Sequence, residues 1–391
     1  MKNILILTWT VLGSVLPSPA GLVSLREHVD VHLTYTPEDG WTSEAKTVAE
    51  GSDFFQEFDA VSLPLDDEPS ATGGQRLEQP EAPEFAFTGV PPGSPLWVAP
   101  QIQTPDQCWP GFNNNQATGT FGAYQETDLR LPAEDRALAL PWLKLTLLSV
   151  TRPGSDAGAF SMWQTDGFGT PTVWFSTADQ SHPDTFLFVA GGHVHLNWGF
   201  GSPGIYRIRL AASAFLGPGQ SNPTGSGPPF TVTFAIGPFA QWQTTHFSAS
   251  ELDQPAICGP DADPDQDGMK TLVEFAFGYN PRNGNAEAVA AGLGLPEISL
   301  IEDGGTFYEV LKYPQRRAAE QIAPLSYNPQ FANSLAVENW KDSGIVTEVT
   351  NFPAAQNSLN PVWEKVTCKR PTGQARPSRG FARVMLFSTP E

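Results

Sequence analysis

Short segments in which apolar and polar residues alternate recur along most of the chain, and this pattern constrains the fold more than any other feature. The run FTVTFAI at 230–236, for example, alternates large apolar residues with smaller or polar ones. A two-residue period is typical of a β-strand with one buried face, and the Gly- and Pro-rich stretches between the segments are typical of turns. Because the 391 residues include 36 glycines, 37 prolines and 25 phenylalanines, the pattern predicts a mainly β protein.

Changes in composition divide the chain into four regions. Residues 1–20 have the lysine, apolar run and small residues of a secretory signal peptide, which predicts an exported protein, either secreted or associated with the cell surface. Residues 21–237 contain most of the strand segments and predict a β-sandwich domain, within which the poorly patterned residues 49–94 predict a long acidic loop. Residues 238–290 predict a linker with an acidic loop and a short helix, and residues 291–391 predict a smaller C-terminal β-domain.

The charge of the chain restricts its partners. A formal net charge of −20 repels phosphate groups, so nucleic acids and anionic membrane surfaces are not expected as partners. Beyond the signal peptide, no segment is long and apolar enough to cross a bilayer, which predicts a mature chain without a transmembrane segment.

Three cysteines lie far apart in the sequence, at Cys108, Cys258 and Cys368. In an oxidising compartment one pair could form a disulfide and leave an odd thiol, and the sequence leaves the pairing open. No CxxC motif occurs, so a cysteine-based zinc site is not predicted.

Histidines are concentrated in two of the strand segments. In GGHVHLNWGF (191–200) alternation places His193, His195 and Asn197 on the face opposite Val194, Leu196, Trp198 and Phe200. The turn sequence GSPG and the segment IYRIRLAA follow directly, which predicts a β-hairpin. In REHVDVHLTY (26–35) the same alternation places three residues on the polar face, His28, Asp30 and His32.

Two side chains at positions i and i+2 on one strand face lie close enough to bind one metal ion. Imidazole together with a carboxylate suits zinc or another transition metal, which makes His28, Asp30, His32, His193 and His195 candidate ligands. A single site requires the two strands to be neighbours in the sheet. Alternatively, the polar side chains merely cover the solvent-facing side of an antiparallel sheet.

The segment GGHVHLNWGFGSPGIYRIRLAASA resembles the motif of the actinobacterial surface-anchored protein domain. Three segments precede it along the chain, namely HVDVHLTY, FTGVPPGSPLWVAPQIQTPD and FSMWQTDGFGTPTVWF. With these segments in this order, most of residues 22–237 is similar to the bacterial choice-of-anchor M family. The resemblance implies a secreted or surface-attached β-protein without established catalytic activity, whose partners are cell-surface components or metal-uptake machinery. The family's C-terminal anchor has no counterpart here, so release or non-covalent retention is expected. The matching positions are His28, Asp30, Gln164, Thr165, Asp166, His193, His195, Asn197 and Trp198, of which Asn197 and Asp166 are weaker ligand-binding candidates.

The sequence DPDQDGMKTLVE (263–274) fits the calcium-loop pattern D-x-D-x-D-G-x₅-E. A hard cation needs several oxygen atoms from one short loop, and this spacing supplies them. Lys270 occupies a position that is apolar in paired EF-hands, so the segment resembles the lone loops of dockerins and thrombospondin-type repeats, and bound calcium would rigidify the domain junction. An acidic linker that caps a helix is the alternative. The predicted calcium ligands are Asp263, Asp265, Asp267, the Met269 carbonyl, Thr271 and Glu274.

Catalytic motifs do not appear. The sequence has no GxSxG, HExxH or P-loop pattern, and it therefore predicts a protein that is not an enzyme. A glycosidase with paired carboxylates stays open, because such a pair needs only to meet in space. Three tryptophans, Trp163, Trp174 and Trp198, could stack on a sugar, although Trp198 belongs to the apolar face. The first hypothesis is a metal-binding exported protein, followed by a structural or adhesive surface protein and then by a carbohydrate-binding protein or enzyme.

Overall fold

A computed structural model describes residues 21–49, 51–116, 119–155, 158–181, 183–284, 293–317, 325–336, 339–359, 361–378 and 380–388. The predicted signal peptide at residues 1–20 lies outside the described residues. Within them the protein is mainly β, with several sheets and a few short helices, as the alternation predicts.

Three sheets form the larger unit. The first has six strands, in the order β1 (Val23–Ser24), β5 (Val61–Leu65), β18 (Phe230–Ile236), β17 (Gly204–Ala214), β11 (Trp142–Thr151) and β14 (Thr185–Val189). The second has five strands, in the order β13 (Pro171–Ser176), β12 (Phe160–Thr165), β16 (Asn197–Phe200), β7 (Pro95–Ala99) and β6 (Arg76–Glu78). The third, called here the histidine sheet, also has five strands, in the order β15 (His193–His195), β8 (Trp109–Asn113), β2 (His28–Thr36), β3 (Gly40–Ala49) and β4 (Ser52–Gln56).

Smaller elements complete this unit. They are the two-stranded pair β9 (Tyr124–Gln125) and β10 (Ala139–Leu140), the helix α1 (Ala133–Arg136), and the 3-10 turns Ser70–Thr72 and Pro83–Thr88.

One hydrophobic core joins the three sheets. The buried ring of Trp198 lies 5.4 Å from the ring of Phe112 in the histidine sheet and 5.3 Å from the ring of Phe234 in the six-stranded sheet. Both histidine-bearing segments turn their apolar residues into this core, since Val31 is 2% exposed and Leu196 is fully buried. The layers therefore stack as in a sandwich, and the polar faces of β2 and β15 point away from the core.

The prediction of a long loop over residues 49–94 is wrong. This region contains β4, β5 and β6, and every residue of β5 is buried between β1 and β18, with which it pairs in parallel. Pro64 and the acidic residues that follow β5 hide the strand, because proline and clustered charges are typical of loops. Pairing on both sides nevertheless makes β5 an inner strand of the six-stranded sheet.

The predicted hairpin between residues 193 and 214 is also wrong. The strand β16 pairs with β12 and β7, whereas β17 pairs with β11 and β18 in the six-stranded sheet. Residues 201–203 therefore carry the chain from one layer of the sandwich to the other. Both strands face the same core, so their apolar patterns are alike, and alternation alone does not reveal the sheet to which each belongs.

The junction contains more helix than the single short one predicted for residues 238–290. Its described residues form four helices, α2 (Gly237–His246), α3 (Ala249–Leu252), α4 (Pro255–Cys258) and α5 (Thr271–Phe277). Phe247 and Leu252 are fully buried against Ile205 and Ala235 of the six-stranded sheet, so this segment packs as a cover on the sandwich.

The C-terminal region is a smaller set of strands around a second hydrophobic core. Phe275 of α5 is fully buried in this core, and Tyr327 donates a hydrogen bond of 2.7 Å to the Ala276 carbonyl. A four-stranded sheet contains β19 (Glu297–Asp303), β20 (Thr306–Arg316), β23 (Trp363–Gly373) and β22 (Val346–Thr350), a two-stranded sheet contains β21 (Leu325–Ala332) and β24 (Phe381–Ser388), and a 3-10 segment covers Ala354–Leu359.

Candidate metal centre

The strand β8 brings the two histidine-bearing strands together. It pairs in parallel with β2 on one side and antiparallel with β15 on the other. In this register Asp30 and His195 both lie opposite Gly111, and His28 lies opposite Trp109. Because residues in register share a face of the sheet, the polar side chains of β2 and β15 converge over Gly111.

Four ligand atoms meet at this point, and the residues that supply them, His28, Asp30, His193 and His195, are called here the histidine cluster. The Nε2 atom of His193 lies 3.2 Å from Nε2 of His28 and 3.0 Å from Nε2 of His195. The Oδ1 atom of Asp30 lies 2.9, 3.2 and 3.9 Å from Nε2 of His193, His28 and His195 respectively. A tetrahedral ion with metal–nitrogen bonds of about 2.0–2.1 Å has ligand atoms about 3.3 Å apart. The cluster thus has the spacing of a group that could hold a metal ion.

Burial and the neighbouring side chains together set the ionisation of the cluster. Burial raises the pKa of Asp30, but the hydrogen bond from His28 and the positive charges of His28 and His193 outweigh it, so the pKa is lowered overall. Burial lowers the pKa of His195 to about 4, although Asp30 opposes this shift. At neutral pH the centre therefore contains an ionised carboxylate and a neutral His195 imidazole, which are the forms that bind a metal.

Two residues that the sequence analysis did not single out shape the cluster. The indole of Trp109 stacks on the His195 ring with centroids 3.6 Å apart and planes 6° apart. A Cβ atom at Gly111 would lie 2.6 Å from Cε1 of His195 and 2.8 Å from Oδ1 of Asp30, so only glycine leaves room for the two ligands. A glycine inside a buried strand often marks such a close approach, and this pattern in the sequence could have pointed to Gly111.

His32 does not belong to the cluster, and its prediction as a ligand is wrong. Its side chain is buried, its Nδ1 atom lies 3.1 Å from Oδ1 of Asn113, and its ring packs against Phe55. Burial also lowers its pKa. In the sheet register Asn113 lies opposite both His32 and His193, so an amide and not a metal ion fills the space between them.

Asn197 and Asp166 are also occupied by contacts within the protein. The Asn197 side chain accepts the backbone N–H of Gln101 at 2.9 Å and donates to the Gln101 side chain at 3.1 Å. Asp166 accepts the backbone N–H groups of Phe168 and Thr170, both at 2.9 Å, and so stabilises the turn between β12 and β13. Neither side chain belongs to the histidine cluster, and their role in binding a ligand stays a prediction.

The acidic loop gathers a second set of oxygen atoms. Asp263, Asp265 and Asp267 place one carboxylate oxygen each within 4.8 Å of one another. Glu274 is fully buried, and both of its carboxylate oxygens lack a hydrogen-bond partner among the described residues. Burial and the three aspartates raise its pKa to about 8. A cation at this position would satisfy the oxygens and reverse the shift.

The other two predicted calcium ligands are Thr271 and the carbonyl of Met269. The Thr271 side chain is fully buried and donates its hydroxyl hydrogen to the Ala262 carbonyl at 2.9 Å, which holds the start of α5; Thr271 stays a predicted ligand. The Met269 N–H donates to Asp267 at 2.7 Å, and the Met269 carbonyl stays a predicted ligand.

All three cysteines are buried and free, so no disulfide links Cys108, Cys258 and Cys368. Burial raises the pKa of Cys258 to about 11 and thereby keeps its thiol protonated. None of the three joins the histidine cluster. Within the described ranges, no helix has the length and apolar character needed to cross a bilayer.

Sequence comparison of the chain with known proteins gives no match. No family model matches it, and no curated protein matches it. A solved structure described as a marsupial T cell receptor aligns over 58% of this chain and 54% of its own, with 7% sequence identity and a TM-score of 0.13. The chain thus spans about half the length of that receptor chain, and a likeness of this size supports no argument about fold or function.

Proposed function

We propose that this protein is an exported, non-catalytic β-protein that binds one transition metal ion, with zinc preferred, at the histidine cluster. The convergence of three imidazole nitrogens and one carboxylate oxygen on one point carries the proposal. Four protein ligands complete a tetrahedral shell, whereas catalytic zinc sites keep one position open for water. The resemblance to the choice-of-anchor M family supports the exported location.

The hydrogen-bonding capacity of His193 favours a cation over a purely polar cluster. Its Nε2 atom lies within 3.2 Å of three other ligand atoms, on His28, Asp30 and His195. One imidazole nitrogen offers a single hydrogen or a single lone pair, so it satisfies only one such neighbour at a time. A metal ion among the four atoms satisfies all of them together.

The cluster is accessible from one side. The His193 side chain is 41% exposed, whereas that of Asp30 is 2% exposed, so an ion can enter over His193 and bind against a buried carboxylate. Bound there, it links the edge strand β15 to β2 across β8. This geometry suits a protein that takes up metal in its folded state.

Elemental analysis after chelation and reloading tests the proposal. The full chain should retain one equivalent of zinc after dialysis, and Co²⁺ should give the visible absorption of a tetrahedral site. Replacing both His193→Ala and His195→Ala should abolish both signals. The control His32→Asn removes an imidazole from the same strand face and should leave them unchanged. Substoichiometric metal in the parent protein, or retention by the double variant, would favour the structural or adhesive alternative.

The proposal includes a second cation, calcium, in the acidic loop. A glutamate that is fully buried without a partner is costly unless its charge is balanced, and four unpartnered oxygens point to a hard cation. Glu274 lies on α5, whose Phe275 is fully buried in the C-terminal core. Calcium would therefore fix this helix and stabilise the junction with the C-terminal region.

Thermal unfolding tests the calcium site independently. The midpoint should be higher with millimolar calcium than with a chelator, and Asp265→Ala should remove this difference. Asp261→Ala is the matched control, because Asp261 lies just outside the loop and its side chain is 85% exposed. An Asp265→Ala protein that gains as much from calcium as the parent does would contradict the assignment.

A further inference from the structure

A cleft on the outer face of the six-stranded sheet carries an arginine that has no partner among the described residues. In β17, Tyr206, Ile208 and Leu210 are fully buried in the core, so Arg207 and Arg209 point outward. Residues of the turn at 152–155, together with Asp253 and Pro255 of the junction, line a cleft over this outward face. The resulting cleft has a volume of about 660 Å³, within the range of small-molecule sites.

Three arginines line the cleft, and they differ in their contacts. Arg152 is buried and donates to the Pro203 carbonyl. Arg207 pairs with Asp253, with Nε and Oδ1 3.1 Å apart, and donates to the Thr233 hydroxyl at 2.7 Å. Arg209 is exposed, and no hydrogen bond or ion pair joins its guanidinium to another described residue. The Arg209 guanidinium is therefore available to an anion, in a chain whose net charge is −20.

Hydroxyl groups flank this charge in the sheet register. Ser149 of β11 and Thr231 of β18 lie directly opposite Arg209, and all three residues line the cleft. One end of the cleft is closed where the turn meets the junction helices, since a Cβ at Gly154 would lie 3.5 Å from Cβ of Pro255. No aromatic side chain is among the described residues that line the cleft.

From this arrangement we infer that the cleft binds a uronic acid, a sugar whose carboxylate is held by Arg209. A guanidinium fork matches the geometry of a carboxylate and binds it through two parallel hydrogen bonds. The Asp253 carboxylate lines the same cleft and would repel a phosphate dianion more strongly than a monoanion. The neighbouring Ser149 and Thr231 hydroxyls and the Asp253 carboxylate supply donors and acceptors for the sugar hydroxyls. This site is separate from the histidine cluster and does not depend on bound metal.

Isothermal titration of the full chain with sodium D-glucuronate tests the inference. Glucuronate should bind at least about tenfold more tightly than D-glucose, because glucose lacks the charged group. Arg209→Gln should weaken glucuronate binding by about tenfold or more, and the side chain's exposure makes unfolding of the variant unexpected; circular dichroism checks this.

Lys144→Gln is the matched control, because Lys144 is an exposed cation of β11 that does not line the cleft. It should leave glucuronate affinity unchanged. Sulfate and phosphate titrations provide the competing arm. Equal binding of glucose, equal loss in both variants, tighter binding of phosphate than of glucuronate, or no glucuronate binding at all would overturn the inference.

Discussion

Replacing Gly111 with alanine should displace the ligands of the histidine cluster, because the new Cβ atom lies on the sheet face that carries them. The new Cβ atom would lie 2.6 Å from Cε1 of His195, about 0.9 Å inside a carbon–carbon contact distance of ~3.5 Å. It would also lie 2.8 Å from Oδ1 of Asp30, so relief by moving toward β2 is blocked. Metal–ligand distances tolerate deviations of only about 0.2 Å. We expect zinc affinity to fall roughly 10- to 100-fold, or about 1.4–2.8 kcal/mol.

Competition titration against a chromophoric zinc chelator measures this loss. Gly167→Ala is the matched control, because Gly167 lies in the turn between β12 and β13 and no atom lies within 4 Å of the Cβ it would gain. Circular dichroism of the metal-free variants separates loss of affinity from loss of fold. If Gly111→Ala binds zinc with parental affinity, the four side chains do not bind an ion between them, and the reasoning fails.

Two further predictions concern other residues. Burial, helped by the positive charges of Arg282 and Arg316, lowers the pKa of His246 to about 4. As the pH is lowered, the unfolded chain protonates this imidazole near pH 6.5, whereas the folded chain does not. The free energy of unfolding should therefore fall as the pH drops from 6.5 to 4, at a limiting slope of about 1.4 kcal/mol per pH unit. His246→Gln should reduce that slope in denaturant titrations, and an unchanged slope would contradict the assignment. Because Trp109 stacks on His195, Co²⁺ should quench its fluorescence; Trp109→Phe should remove the quenched component, and equal quenching in the variant would place the ion elsewhere.

The faces of the histidine-bearing strands were predictable, whereas their neighbours were not. Alternation correctly places His193 and His195 on the side away from Leu196 and Trp198, because the two-residue period is a local property of any strand. The same two-residue period also placed His32 among the predicted metal ligands, because it shares a strand face with His28 and Asp30. Whether an outward residue meets a ligand or an amide depends on the adjacent strand, and Asn113 of β8 decides this for His32.

Long-range pairing also explains the errors in the fold. Val61 and Leu63 belong to an inner strand because β1 and β18 lie on either side, and nothing in the segment itself distinguishes it from a loop containing a proline. The incorrect prediction of a hairpin between β16 and β17 has the same origin. The strands β16 and β17 both bury aromatic residues in one core, and only their partners reveal that they belong to opposite layers.

The two candidate cation sites differ in how much of each a sequence can specify. The oxygen atoms of the acidic loop come from one run of twelve residues, so their spacing alone brings Asp263 and Asp267 together. His28 and His193 are 165 positions apart and meet only after β8 has paired with both strands. Loop closure over that distance is stabilised by the sandwich core and not by the ligands themselves. The acidic loop can therefore gather its carboxylates locally, whereas the histidine cluster requires the folded sheet, and metal bound there would report on the fold as a whole.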